Sequence, residues 1–366
     1  MDKGQLDTPF VLVDLDKTEQ NIAAYQAVAD RCGVKLRPHA KTHKIPQLAR
    51  MQIAAGAVGV TVAKVGEAEV MADAGIPDIM VAYPVVGEAK LARLARLAQK
   101  SRITVAVDSE EAAIPLAEAM TAAGASVDVL IELDCGFGRV GLQPGEPLLH
   151  LARRLVGLTG LRMTGILAFA GQAYDAPDEV RLREIAAHEA GMAAEAARLL
   201  RNNGIPAHTV SVGSTPSSRY AAEGVGVTEI RPGAYVFGDL MQVDIGAHRL
   251  EQCALTVKVT VVSRPSTDRA VIDAGTKVFT MDGNPSSLGT GRGWVVGHPG
   301  ISVEWFTEEH GMLRLAPEEQ SLRVGDTLEI VPVHCCGDVN MVDEVAAVRG
   351  DCVEAIWPVA ARGKVR

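Results

Sequence analysis

The run ITVAVDSEEAAIPLAEAMTAAGASVDVLIELD, residues 103–134, decides the fold. Two stretches rich in β-branched residues, ITVAVDS (103–109) and VDVLIELD (127–134), flank an Ala- and Glu-rich segment of helical character. A near-continuous apolar strand predicts burial on both faces. A helix between two such strands predicts a parallel pair covered by that helix. The texture extends in both directions: VKLRP (34–38), VGVTVA (58–63) and DIMVAYP (78–84) come before, and GILAFAG (165–171), HTVSVGS (208–214) and EIRPGAYVF (229–237) come after. Helical patterns such as EAKLARLARLAQK (88–100) and DEVRLREIAAHEAGMAAEAARLLRNNG (178–204) lie between them. Eight such units predict a (β/α)8, TIM-like barrel. A doubly wound open sheet is the alternative that periodicity alone leaves open.

The texture changes after residue 240. LTVKVTVVSRP (255–265), AVIDAG (270–275), GWVVGHP (293–299), MLRLA (312–316), DTLEIVPV (326–333) and CVEAIWPV (352–359) read as strands joined by Gly/Pro turns, with no long helical pattern among them. The expected organisation is therefore a barrel domain over 1–245 and a C-terminal all-β domain over 246–366. The early strand TPFVLVDL (8–15) fits either.

The chain has 366 residues, 48% hydrophobic and 22% charged, and a formal charge of −9. That acidity argues against nucleic acid or an anionic membrane as partner, while leaving a local anion site open. Its six cysteines show no disulfide-framework spacing, so a reduced, cytoplasmic setting is expected. The start, MDKGQLDTPFVLVDLDKTEQ, lacks the apolar stretch of a secretory leader, and no run approaches the ~18 apolar residues of a membrane span. A soluble protein is expected.

In a parallel barrel, reactive groups sit just beyond the C-terminal ends of the strands. After the first strand comes HAKTHK (39–44). A partly desolvated lysine there loses its proton readily and can form an imine, although a lone lysine more often belongs to a solvated basic loop. The fifth strand ends in ELDCGFGRVG (132–141), where glycines let backbone approach a ligand and Asp134 and Arg139 stand close in sequence. A turn with a surface ion pair reads equally well. Gly213, Ser214 and Thr215 follow the seventh strand, and Arg231, Gly233 and Tyr235 alternate along the eighth. Barrels often hold a phosphate after strands seven and eight. In PVHCCGDVNMVDEV (332–345), His334 and Cys336 share a side of an extended segment, and imidazole with thiolate suits zinc or a similar cation. A buried histidine beside two core cysteines is the plainer reading.

Taken in order, TPFVLVDLD (8–16), RPHAKTHK (37–44), DCGFGRVG (134–141), GSTPSS (213–218), RPGAYVFGD (231–239), EEHG (308–311), PVHCCGDVN (332–340) and VEAIWPVAARG (353–363) resemble the fold-type III pyridoxal-phosphate enzymes. Within that group the chain is similar to the metal-dependent D-threonine aldolase and D-serine dehydratase family. The resemblance implies that Lys41, rather than Lys44, holds pyridoxal 5'-phosphate and exchanges a proton with the substrate α-carbon. It implies that Gly213, Ser214, Thr215 and Gly233 grip the phosphate, with Tyr235 on the same wall. Arg139 falls near the cofactor's phenolic oxygen or the substrate carboxylate, Arg231 at the pyridine nitrogen, and Gln172 and Tyr174 against cofactor or substrate. Phe169 stands where a tyrosine or another polar group is expected. His334 and Cys336 match the family's ligands for a divalent metal (Zn, Mn or Mg).

The implied activity is lysis of a D-configured β-hydroxy amino acid: aldolase cleavage to glycine and an aldehyde, with expulsion of the hydroxyl to give a keto acid plus ammonia (the D-serine or D-3-hydroxyaspartate dehydratase reaction) as the alternative. The stretches 308–311 and 353–363 look like the aldolase branch, whereas His-x-Cys is closer to the dehydratase branch, since aldolases often carry His-x-Asp there. Aldolase is the expectation adopted. A racemase would call for a second base, often a tyrosine of the β domain, but all five tyrosines lie before residue 240. A non-catalytic cofactor-binding barrel would leave the β domain unexplained. The resemblance also implies a homodimer.

Overall fold

The computed structural model describes residues 1–282, 288–289 and 291–366. The chain divides into two compact units. One comprises Ala23–Lys41, Pro46–Gly233 and Gly363–Arg366. Its eight parallel strands are Lys35–Leu36, Val60–Val62, Asp78–Val81, Arg102–Val107, Val127–Leu133, Leu161–Ala168, Thr209–Val212 and Glu229–Ile230. Every strand expected from the sequence has its counterpart. The sheet closes between its first two strands: Val58 N–H donates to Leu36 at 2.9 Å, Thr61 to Pro38 at 2.7 Å and Ala40 to Thr61 at 2.7 Å. This is the TIM-like barrel, not the open sheet.

The reason is visible in Val127–Leu133, which is buried at every residue. One face meets side chains inside the barrel, where Met80, Ala106, Leu130 and Leu167 pack together, and the other meets the helices. The long helix Glu179–Asn202, capped by the Asp178 carboxylate accepting from the Arg181 amide, buries Leu182, Ile185, Ala186 and a line of alanines down to Leu200. Small residues let a helix lie close to the sheet.

The eighth strand is shorter than expected. It ends at Ile230, Pro232 has no N–H for a ladder bond, and Ala234–Val236 winds into a 3-10 turn. The expected alternation of Arg231, Gly233 and Tyr235 onto one face therefore fails.

The other unit comprises Met1–Ile22, Thr42–Ile45 and Ala234–Arg362. Among the described residues it carries a nine-stranded sheet in the order Arg269–Ile272, Gly311–Leu315, Ile301–Phe306, Gly293–Val295, Thr327–Pro332, Leu255–Ser266, Phe10–Asp14, Glu344–Arg349 and Cys352–Pro358. Phe10–Asp14 lies within it, antiparallel to Leu255–Ser266 and parallel to Glu344–Arg349. The strands at Ile301–Phe306 and Glu344–Arg349 were not anticipated. No helix among the described residues is long and apolar enough to cross a membrane.

Candidate active site

Lys41 is the last residue of the barrel unit before Thr42–Ile45, a segment that belongs to the β unit. Its side chain is exposed. The neighbouring candidate, Lys44, is engaged elsewhere: it is buried, and its Nζ donates to Asn340 Oδ1 at 2.6 Å.

The turn after the seventh strand is built from buried hydroxyls. Ser214, Thr215, Ser217 and Ser218 are all buried, and Gly213 holds φ +87, where a Cβ would meet Ser218 at 2.9 Å. Left-handed backbone with so close an approach calls for glycine. The Gly213 and Ser214 amides are both engaged within the protein, donating to Glu189 Oε1 at 2.9 Å and to Ser217 Oγ at 2.9 Å. The Gly233 amide donates to Thr215 Oγ1 at 3.1 Å, joining the two segments expected to share a phosphate. Beneath them, Tyr25 donates from its hydroxyl to the Thr215 carbonyl at 3.0 Å.

Arg231 lies buried, with Nε donating to Ser211 Oγ at 2.8 Å and Nη2 to the Ala168 carbonyl at 2.5 Å. Burial lowers its pKa against the pull of Glu189, Glu229 and Glu132. Arg139 is half-exposed, 3.5 Å from Glu132 Oε1, with its guanidinium 4.5 Å from the Phe169 ring centroid. The aromatic ring where a polar group was expected is thus an arginine platform. Burial pushes the Glu132 carboxyl up despite Arg139 and Arg231. Gln172 and Tyr174 lie half-buried on the 3-10 turn Gly171–Asp175, and Gln172 Nε2 donates to the Cys135 carbonyl at 2.9 Å. Among the described residues, Glu132 Oε2 and Gln172 Oε1 are buried without a hydrogen-bond partner. Native proteins rarely leave such atoms unsatisfied, and orphans near the C-terminal ends of barrel strands are what a polar ligand would satisfy.

The expected extended segment at 334–336 is a helix start. His334 is the extended N-cap and Cys335–Met341 is helical, so Cys336 sits in the first turn. The same-side relation expected of a strand does not apply, yet the helical turn still brings the two side chains into a hydrogen bond. Burial opposes a charged His334 imidazole, but the Cys336 thiolate, Asp239 and Asp282 outweigh it and its pKa rises to about 9. Hydrogen bonds from Cys335, His334 and Thr42 hold the Cys336 thiol well below 9.0 against burial. Imidazole with a low-pKa thiolate fits a borderline-soft cation. No group of three or more His, Cys, Asp or Glu residues suited to a metal occurs among the described residues, so the pair alone would make an open site.

Tyr235, expected on the phosphate wall, is fully buried on its 3-10 turn in the β unit. Sequence reasoning missed the groups that support these side chains. Asp239 accepts from the Cys335 amide and the Gln242 amide, both at 3.0 Å, tying down the helix that carries Cys336. Thr42, next along the chain from Lys41, is hydrogen-bonded to Cys336 Sγ at 3.3 Å. Asp239 and Thr42 fall inside motifs quoted above, but their roles leave no local signature, because each acts through a residue far away in sequence.

Residues 13–241 match the family pattern of the alanine racemase N-terminal domain, and 254–348 match that of a putative serine dehydratase domain. The chain is 38% identical to a D-threonine aldolase of an Arthrobacter species, covering 98% of this chain and 94% of that protein. It is 34% identical to a D-threo-3-hydroxyaspartate dehydratase of a Delftia species, covering 96% and 97%. The crystal structure of D-threonine aldolase from Filomicrobium marinum superposes with a TM-score of 0.92 at 37% identity, covering 98% of this chain and 96% of that one. A solved variant of a D-threo-3-hydroxyaspartate dehydratase is described as its metal-free form.

Proposed function

Because this chain belongs to the alanine-racemase-like, fold-type III family that includes D-threonine aldolase and its dehydratase relatives, we propose that it is a lyase of D-β-hydroxy amino acids. It uses pyridoxal phosphate and a divalent metal and cleaves between Cα and Cβ. The observation that carries this reading is the hydrogen bond between Cys336 and Thr42, the residue that follows Lys41. It ties the His334–Cys336 donor pair to the segment leading from the amine. A racemase has no need of such a pair.

Pyridoxal phosphate, when bound, supplies an electron sink for the α-carbon. The metal, when bound to His334 and Cys336, supplies Lewis acidity for the β-hydroxyl. Lys41 holds the cofactor covalently and carries a proton to and from the substrate α-carbon. Gly213, Ser214, Thr215 and Gly233 hold the phosphate; since the first two amides and that of Gly233 serve the protein itself, the hydroxyls of Ser214 and Thr215 take the larger share. Arg139 orients the substrate carboxylate as a planar fork. Gln172 and Tyr174 line the substrate side, and Arg231 faces the cofactor ring nitrogen.

In the aldolase reaction a nearby base takes the hydroxyl proton as the Cα–Cβ bond breaks, and Lys41 gives a proton to Cα, yielding glycine and an aldehyde. In the dehydratase reaction Lys41 takes the α-proton, the hydroxyl departs as water, and a water molecule taken up again by the enamine that remains releases a keto acid and ammonia. The 308–311 and 353–363 stretches and the 38% identity to an aldolase support the first; the His-x-Cys pair and the Delftia relative support the second.

We place the protein in the cytoplasm, a setting supported by six free cysteines. We assign it a homodimeric state, in which a partner subunit would cover the exposed Lys41. The test is an assay of the cofactor-loaded enzyme with D-threonine for acetaldehyde and D-serine for pyruvate, with and without chelator. Chelator-sensitive acetaldehyde is expected. Borohydride reduction that leaves no secondary amine at Lys41 would refute the scheme.

A further inference from the structure

Glu189 lies in the middle of the helix Glu179–Asn202 and is fully buried. A carboxyl so placed must find partners. It finds them on two separate barrel loops. Oε1 accepts from the Ala170 amide at 3.1 Å and the Gly213 amide at 2.9 Å, and Oε2 accepts from the Ser217 hydroxyl at 3.1 Å. Ser217 Oγ passes the tie onward, accepting from the Ser214 amide at 2.9 Å and sharing a hydrogen bond with Ser214 Oγ at 3.0 Å. One carboxyl therefore fixes the start of the loop after the sixth strand and both ends of the turn Gly213–Ser217. Its role is absent from every motif quoted above, because a glutamate inside a helical pattern looks like an exposed one.

We infer that Glu189 is a positioning residue for the cofactor phosphate, shaping the Gly213–Ser217 turn into a cradle for a phosphate monoester. The inference rests on the proposed reading of that turn as the phosphate site. The tight packing there favours it over a general helix anchor: the +87 φ of Gly213, where an added Cβ would lie only 2.9 Å from Ser218, leaves the turn no slack of its own. Any change at Glu189 would pass through Ser217 to the hydroxyl of Ser214. Burial raises the Glu189 pKa, and the Gly213 amide, Arg231, the Ala170 amide and Ser217 draw it back.

Glu189→Gln keeps the shape and one acceptor oxygen, but presents an amide donor where Ser217 now donates. Ser217→Ala cuts the same tie from the other end with a smaller change. The full-length apoenzyme is titrated with pyridoxal phosphate and, separately, with pyridoxal, following cofactor absorbance, with thermal unfolding as the control for folding. Both variants are expected to weaken pyridoxal phosphate about tenfold, while pyridoxal, lacking the phosphate, changes less than about twofold. Equal weakening of both aldehydes, or no change in either, would overturn the inference and leave Glu189 a general anchor. Wild-type protein that binds the two aldehydes equally would instead remove the phosphate reading beneath it.

Discussion

The Arg139 guanidinium lies 4.5 Å from the centroid of the Phe169 ring, and its Nη2 lies 3.5 Å from Glu132 Oε1. A charge held between a ring face and a buried carboxyl is aimed rather than free to wander. A lysine in its place would keep the charge but lose the planar fork and the stacking surface. Arg139→Lys is expected to lower kcat/KM by about 10- to 100-fold, chiefly through KM, since the substrate-carboxylate contact proposed for Arg139 would be made in the ground state as well. Phe169→Leu, which removes the ring face alone, is expected to have a smaller effect in the same direction, about two- to fivefold. Steady-state kinetics on both variants checks the order.

The second prediction concerns pH. Glu132 is buried, and burial raises its pKa above 4.5. A carboxyl whose folded pKa is raised keeps its proton longer in the native state than in the unfolded one. Its contribution therefore declines as pH rises from about 4.5 through the folded value, and is level above that. Glu132→Gln removes the titration. The apoenzyme variant should match wild type in urea-unfolding stability near pH 4 and exceed it at pH 7.5. A variant less stable than wild type at pH 7.5 would show that the Arg139 contact outweighs burial.

Thr42 offers the third. Its hydroxyl, 3.3 Å from Cys336 Sγ, is among the groups that keep the thiol acidic. Groups that hold a metal ligand in its deprotonated form commonly account for 10–100-fold in affinity. Thr42→Val should weaken zinc binding at neutral pH by about tenfold, and Thr42→Ser should restore it. His334→Ala should abolish binding while leaving cofactor absorbance in place. Metal content after dialysis against graded chelator separates the three.

The barrel strands were legible because burial on both faces writes them as near-unbroken apolar runs. Where the code of a strand is weaker, it was missed. Glu344–Arg349 is EVAAVR, rich in alanine, a poor strand former, and it overlaps the end of the PVHCCGDVNMVDEV stretch. In Ile301–Phe306 a register shift between Val303 and Trp305 breaks the alternation that a half-buried strand normally shows. Gly337 disguised the seven-residue helix that carries Cys336, since glycine is a weak helix former and His334–Cys336 read as an extended segment. The amine, the turn and the donor pair were legible as motifs; Glu189, Asp239 and Thr42 were not, because a hydrogen bond across the fold leaves no mark on the neighbouring sequence.

The last prediction tests the barrel's N-terminal end, where Arg37 is buried between Asp78, at 2.6 Å, and Glu229, at 2.8 Å. Arg102 bridges onward to Asp128 at 2.8 Å, and Arg162 meets the same carboxylate at 2.8 Å. Burial works against the Arg37 charge, yet the two carboxylates outweigh it and its pKa rises. Removing the cation leaves two low-dielectric acids facing one another, a change that typically costs about 3–5 kcal/mol. Arg37→Met should lose that much in denaturant unfolding, whereas adding Asp78→Asn and Glu229→Gln should recover most of it, because the loss comes from stranded charge and not from missing attraction. If the triple variant is no more stable than Arg37→Met, the guanidinium's packing and hydrogen bonds, rather than its charge, hold this end of the barrel closed.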